Sequence, residues 1–273
     1  MKIDFISVHY NSPRIIEKFF LSILNQDLLN DFDIKIFMVD NASEENNKKI
    51  LKKIIKSYSD YLDITLIESN ENLGYFPGMN LGLLQSNFRQ TPFKIICNND
   101  IEFRKDFLSI LRNHTFEKRC FAIYPDVISP DGSHHNPRVI NSVSIFRKLS
   151  YKIYFMNYFL AFLINIFFGL LNNRKESKNR FGHEKESKIH LGVGACIILS
   201  DSFLSRIEKL DDRVFLWGEE VLLSNQIRQE GGYQYYFPNL KIFHEEHSTV
   251  SSLSSKKKYD LMQASYRIYK NYL

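Results

Sequence analysis

At 273 residues, 44% hydrophobic and 25% charged, the chain has enough apolar material for a full core and none of the bias of disordered or fibrous sequences, so one domain over 1–273 is expected. The net charge of +5 admits a polyanionic partner, but Lys and Arg alternate with acids along most of the chain; no nucleic acid is expected, and a membrane surface or a nucleoside diphosphate suits the charge. Cys97, Cys120 and Cys196 are odd in number, far apart and set in apolar runs, which excludes a disulfide framework and indicates buried thiols in a reducing compartment.

The opening MKIDFISVHYN enters a strand with no apolar signal core, so a cytoplasmic location is expected. Ile3 to Tyr10 reads as a buried strand. Asn11-Ser12-Pro13 then reads as a helix start, with Ser12 as cap and Ile15, Ile16, Phe19, Phe20, Ile23 and Leu24 as the apolar stripe. A second strand, Ile34 to Val39, ends in Asp40-Asn41-Ala42-Ser43-Glu44, again a strand followed by a capped helix. A third, Ile64 to Glu68, leads into Asn70-Glu71-Asn72-Leu73-Gly74, whose glycine lets backbone approach a ligand. A helix follows Pro77, and a fourth strand, Phe93 to Cys97, ends in Asn98-Asn99-Asp100. Strands alternating with helices predict a parallel, doubly wound sheet. Tyr10, Asp40, Asn72 and Asp100 fall at strand carboxyl ends, where ligands of such sheets sit, although Asp and Asn are also ordinary turn residues. No G-x-G-x-x-G follows the first strand and no G-x-x-x-x-G-K-[ST] occurs, which disfavours nicotinamide, flavin and P-loop readings.

Cys120 to Ile128 reads as another strand and Ser129 to Ser133 as a turn; His134-His135 follows without partners at ligand spacing, so a surface turn is expected there. Ile153 to Leu171 carries no charge. A membrane span needs about twenty apolar residues, but Asn157 and Asn165 interrupt the run and one crossing would divide a single site between two sides. A helix in the interface or an apolar hairpin is expected, with packing on the core or a second subunit as the alternative. Asn172 to Lys188 has a basic excess suited to anionic headgroups, so 150–190 reads as an apolar and basic insertion that contacts a membrane.

Leu191 to Leu199 resumes the core. Phe215 to Gly232, FLWGEEVLLSNQIRQEGG, sets Glu219 and Glu220 beside the single Trp217 at the start of a helical run that the glycine pair stops. Acids in a first helical turn also suit its dipole, which leaves a solvated helix start as the plain alternative. A strand-like segment then ends in His244, a polar stretch covers Glu245 to Ser255, and a helix from Lys256 to Leu273 is expected to face Leu261, Met262, Ser265, Ile268 and Tyr269 inward.

Seven segments in order, VHYN, VDNAS, NLGYFPGMNLG, CNNDIEF, GVGACIILS, LDDRVFLWGEEVLLSNQIRQEGG and the strand ending in His244, resemble the family 2 glycosyltransferases and, within them, the rhamnosyltransferase-like branch. The resemblance implies a GT-A (Rossmann-like), mostly parallel sheet flanked by helices, and transfer of a sugar from a nucleotide-diphosphate donor, dTDP-rhamnose or a UDP-sugar, to a lipid-linked or cell-surface glycan at the inner membrane face. It assigns Tyr10 and Asp40 to the nucleotide base, with Asn72, Gly74 and Asn99 also on the nucleotide. Asp100 and His244 would hold a divalent metal, Mg or Mn, Glu220 would be the general base, and Trp217 and Glu219 would hold the acceptor. A hard cation would neutralise the leaving diphosphate, and a carboxylate would take the proton of the attacking hydroxyl; one base without a second nucleophile implies inversion.

Three positions depart from the family pattern. The metal motif keeps one acid, Asp100, after Asn98-Asn99; Glu220 stands where the family has Asp; and Leu222 replaces a frequent acid. These departures carry the alternative expectation, a non-catalytic subunit that binds nucleotide sugar.

Overall fold

Alternate residues of the first strand face two different cores, which is what a sheet covered on both sides requires. In β1 (Lys2–His9), Ile3 and Phe5 enter one cluster while Ile6 enters the other. The computed structural model describes residues 1–86, 91–171, 180–245 and 254–273. Their strands are β1, β2 (Asp33–Asp40), β3 (Asp63–Glu68), β4 (Phe93–Asn98), β5 (Ile101–Phe103), β6 (Cys120–Ile128), β7 (Ser187–Ile189), β8 (Cys196–Ser200) and β9 (Tyr233–His244). They form one sheet in the order β3-β2-β1-β4-β8-β6-β9-β5, with β7 also paired to β9.

Helices α1 (Ile16–Leu24), α2 (Glu45–Tyr58) and α4 (Phe107–Asn113) cover the Phe5 face, through Phe19, Phe20, Leu51, Phe107 and Leu111. The Ile6 face is covered by α3 (Tyr75–Gln85), α7 (Asp201–Leu204) and α8 (Glu219–Gln229), through Phe76, Met79, Phe203, Leu223 and Ile227. Each such fully buried side chain contributes roughly 1.5–3 kcal/mol. One charge pair is placed inside: the Lys94 ammonium, fully buried, meets Asp4 across the parallel β1-β4 pair. All three cysteines are free and buried, as their apolar runs suggest.

The expectation of a mostly parallel sheet holds for β3-β2-β1-β4; beyond it the sheet is mixed, β6 and β9 pairing parallel and the other pairs antiparallel. Among the described residues four strand pairs are parallel and four antiparallel. β5 follows β4 after Asn99 and Asp100 alone, a link too short for the crossover that a parallel neighbour needs, and pairs with β9 instead; none of the antiparallel pairs joins consecutive strands, so their direction is set by packing between distant segments. Ser12 is also not a cap: a short 3-10 turn, Pro13–Ile15, precedes α1 and no side chain caps it. Ser43, likewise expected at a helix start, accepts from the Asn11 backbone and so ties the loop after β1 to the loop after β2.

The apolar run is two helices rather than one. α5 (Ile145–Tyr154) and α6 (Tyr158–Leu171) are separated by a break at which Asn157 caps α6, accepting from the Leu160 amide at 2.9 Å. The asparagine read as an interruption therefore starts the second helix. Phe155 is buried in the break and stacks on Tyr266 at 4.5 Å, joining the hairpin to α9 (Ser255–Tyr269) in a small cluster with Ala161 and Tyr259. In α9 the buried residues are Tyr259 and Ser265. No described helix is long and apolar enough to cross a membrane. The expected basic stretch lies partly outside the described residues, at 172–179, as does most of the polar segment, at 246–253.

Candidate active site

β1 has β2 on one side and β4 on the other, so the winding of the chain reverses between β1 and β4; ligands of open α/β sheets bind beyond the strand ends at such a point. His9 ends β1 there. Its Nδ1 lies 2.8 Å from the Asn99 Nδ2 across the reversal, while its Nε2 is buried without a hydrogen-bond partner. Burial lowers its pKa to about 4, with Asp40 pulling the other way, so the ring is neutral near pH 7. Tyr10, one residue on, is 37% exposed and available to a planar ligand.

Asp40, at the end of β2, is buried with both carboxylate oxygens lacking a hydrogen bond; the nearest cation is Lys48, at 3.7 Å. A buried carboxylate in that state lacks the donors that would offset its desolvation. Around it the loops are tied by side-chain amides. Asn41 donates to Asn72 Oδ1 and to the Gly74 carbonyl, both at 2.9 Å, and accepts from the Leu73 amide. The Asn72 amide oxygen is thus engaged by Asn41 and by the Gly74 amide. Gly74 has φ +97°, and a Cβ there would stand 2.1 Å from the Phe215 carbonyl oxygen, so the glycine admits the 215 segment. Tyr75 seals that approach, donating its backbone amide to Phe215 at 3.0 Å.

Asp100 and His244 meet although 144 residues separate them: β5 pairs with β9 so that Ile101 lies opposite His244, and the Asp100 Oδ1 is 3.1 Å from the His244 Nε2. The Asn98 Nδ2 is 3.3 Å from the same nitrogen. One carboxylate and one imidazole are both groups that can ligate a divalent cation. Among the described residues no group of three or more His, Cys, Asp or Glu could hold a metal, so an ion here would complete its shell with phosphate and water oxygens.

The third part is the N-terminus of α8. Its cap, Gly218, is left-handed at φ +97°, preceded by Trp217 at φ +65°, an uncommon conformation for a bulky residue and one that marks local strain. The turn is held from outside: the Tyr269 ring fills the space where a Gly218 Cβ would stand, and Ser265 donates to the Leu216 carbonyl at 2.7 Å. Gly218→Ala is therefore expected to cost about 1–3 kcal/mol. Urea denaturation of the purified variant checks this; unchanged stability would show that the turn relaxes freely.

The two acids part company. Glu219 is buried, with Oε1 unpaired, and burial, then repulsion from Glu220, pushes its pKa up to about 8. Glu220 is partly open. Its Oε1 receives the Arg138 guanidinium at 3.2 Å and the Gly194 amide at 3.3 Å. Gly194 is linked onward, its carbonyl accepting from the Tyr75 hydroxyl at 2.9 Å, and the next residue, Ala195, accepts from the Asn98 amide at 2.9 Å. One short loop, Gly192 to Ala195, thereby connects the Glu220 carboxylate to the end of β4.

Arg138 and His9 are the residues that sequence reasoning missed. Arg138 is carried to Glu220 by a loop pinned by the buried Asn136, which donates to Pro125 and accepts from Val193, and by pairing of Val139 with Leu191. No local pattern marks it. His9 stands at a strand end beside Tyr10, and that position was its only signal. His134 and His135 are not the free surface turn expected: they follow the turn and are half-buried, His134 bridging to Ile128 and pairing with the buried Asp126 at 2.8 Å, and the Nε2 of His135 lying 2.6 Å from the Ser129 hydroxyl.

A sheet with helices on both faces, a reversal point lined by Tyr10, Asp40 and Asp100, and a carboxylate pair at a strained helix start make up an α/β fold consistent with the GT-A kind. The glycosyl transferase family 2 model matches residues 4–181, and the chain belongs to that family. No curated protein matches it in sequence. Among solved structures it is similar to S. aureus TarS, at 14% identity and a TM-score of 0.61, with 98% of this chain and 39% of that chain covered. It is likewise similar to GalNAc-T7 bound to UDP, GalNAc and Mn²⁺, at 14% identity and 0.61, covering 90% and 44%. A mannosyltransferase of Pyrobaculum calidifontis bound to GDP-Man and Mn²⁺ gives 14% identity and 0.58, covering 97% and 69%. The chain thus spans about two fifths of the TarS chain, and likeness at this identity speaks for the fold.

Proposed function

We propose that the chain is an inverting glycosyltransferase that moves a sugar from a nucleoside-diphosphate donor to a hydroxyl of a lipid-linked or cell-surface glycan, working peripherally at the inner face of the cell membrane. The observation that carries the reading is the convergence of an orphaned buried carboxylate, Asp40, an Asp100-His244 pair and a partly open Glu220 on loops joined through Gly74 and Gly194. In this reading the Asp40 oxygens accept from an N–H of the nucleobase, which supplies the missing hydrogen bond, and Tyr10 stacks on the base. Asn99, held by His9, and the Asn72-Gly74 loop line the nucleotide. A uracil or thymine base, each with a ring imide N–H, fits Asp40, and the donors we favour are dTDP-rhamnose or a UDP-sugar.

Asp100 and His244 would hold Mn²⁺ or Mg²⁺, which when bound supplies positive charge against the leaving diphosphate. Glu220 takes the proton of the acceptor hydroxyl as that oxygen attacks the anomeric carbon. Arg138 and the Gly194 amide fix the carboxylate for that step, and Trp217 lies on the acceptor side, while the buried Glu219, expected to hold the acceptor, is enclosed behind the helix start instead. A thermal-shift screen of nucleotide sugars with each metal tests the reading, because a ligand of the folded state alone raises its stability. Stabilisation by a UDP- or dTDP-sugar only with metal, followed by turnover, supports it. Binding without turnover would favour the non-catalytic subunit, to which the single-acid metal motif points.

Asp100→Ala is expected to weaken metal-dependent donor binding about 10- to 100-fold with the fold intact. Titration of Mn²⁺ against donor-loaded protein measures it. Equal affinity in variant and wild type would remove Asp100 from the metal role.

A further inference from the structure

We infer that the α5-α6 hairpin, with the first turn of α9, is a docking surface for a bilayer leaflet rich in anionic phospholipid. This deepens the membrane part of the reading above and rests on it, but not on the chemistry assigned to Glu220. α5 has no buried residue. Its Ile145, Phe146, Leu149 and Ile153 form a helical stripe that faces outward, with Ile145 and Phe146 more than four-fifths exposed. In α6, Phe159, Phe162, Leu163, Ile166 and Phe167 recur at the same spacing and are also exposed. A surface helix normally turns such a stripe to the core. Two adjoining stripes turned outward form an apolar patch of the kind that marks an interaction site.

Charge identifies the occupant. Between Asp131 and Glu176 the sequence has no acid, while Arg147 and Lys152 stand exposed on α5 and Lys256, Lys257 and Lys258 open α9 beside α6, where Lys256 pairs with Asp260 and lies over the Tyr158 ring at 5.3 Å, leaving the cations in excess. Cations around exposed Phe, Leu and Ile, with Tyr151, Tyr154 and Tyr158 between, match headgroup phosphates above acyl chains. A second copy of this chain fits less well, since two-fold pairing would set cations against cations with no acid on either hairpin. The patch is also joined to the site, because Tyr266, which stacks on Phe155, and Tyr269, whose ring stands against Gly218, lie one turn apart at the C-terminal end of α9. Docking would thus hold the start of α8 at a fixed attitude to the membrane, where a lipid-linked acceptor presents its glycan.

The test is co-sedimentation of the full chain with vesicles of phosphatidylcholine alone or with added phosphatidylglycerol. Wild type is expected to sediment with the anionic vesicles only and to be released by high salt. Two variants change exposed residues only: Phe146→Ser with Phe159→Ser and Phe162→Ser, and Arg147→Glu with Lys152→Glu. Each should lower partition at least about tenfold while circular dichroism stays native. Wild type indifferent to anionic vesicles, or sedimentation unchanged in both variants, would overturn the assignment. So would a wild-type dimer that both variants convert to monomer without any vesicle binding. Hydrolysis of a soluble nucleotide sugar in the same samples reports separately on the catalytic reading.

Discussion

Glu220→Gln is expected to lower kcat by about 10²- to 10⁴-fold while leaving donor affinity within about twofold of wild type. The expectation follows from the division of labour between the two acids. Glu219 is enclosed and its free oxygen reaches no solvent, so an acceptor hydroxyl has no path to it. Glu220 is partly exposed, and its carboxylate is oriented from two directions by Arg138 and the Gly194 amide. Glutamine keeps the volume and can still accept from both groups, but it cannot take the proton. Glu220→Asp shortens the arm by one methylene, about 1.5 Å, and restores the residue the family pattern carries, so substantial activity should remain. The measurement is kcat together with donor Kd on the same preparations. A glutamine variant with near-native turnover would remove Glu220 from the proton transfer, and one that loses the donor would make it a binding residue.

Glu219→Gln is expected to become steadily more stable than wild type as pH rises through neutrality. In the folded chain Glu219 keeps its proton up to about 8, whereas its ordinary value, 4.5, applies once the chain unfolds. Between those values the folded state holds the extra proton, so wild-type stability falls with rising pH and the loss is complete above about pH 8. At about 1.4 kcal/mol per pKa unit the effect is of the order of a few kcal/mol. His9 acts in the opposite sense: its folded value of about 4 lies below its ordinary 6.5, so its contribution is present above pH 6.5 and lost as pH falls toward 4. Both proteins share that contribution, and their difference isolates Glu219. Urea midpoints taken from pH 5 to 9 are the check, and parallel curves would show that Glu219 ionises normally.

Much of the site was legible because strand ends are legible. Asp40, Asp100 and His244 could be located from apolar runs followed by polar residues, and the β5-β9 pairing that joins the last two conforms to that reading. What the chain did not announce was anything set by distant packing. Arg138 reaches Glu220 only because Asn136 and Val139 pin its loop to β6 and Leu191, contacts up to 57 residues apart that leave no local periodicity. The antiparallel half of the sheet was misjudged for a related reason, since the apolar content of β6, β8 and β9 specifies burial but not direction. Phe155 shows the limit within a single run: it reads like Phe159 and Phe162, yet it is buried against Tyr266 while they are exposed, because the break before Asn157 turns it inward. The two glycines at 74 and 218 were visible as turns. Their actual duty, admitting the Phe215 carbonyl and the Tyr269 ring, was not.

The central claim is transfer by single displacement, with Glu220 as the only base and no protein nucleophile. The most direct test is the anomeric configuration of the sugar first formed from a nucleotide-sugar donor that the thermal-shift screen identifies, followed by proton NMR before mutarotation. The account predicts a product of inverted configuration, formed at a rate that Glu220→Gln suppresses. A product of retained configuration would contradict it, since retention requires either a second displacement or a front-face departure that a single partly exposed carboxylate held by Arg138 does not provide.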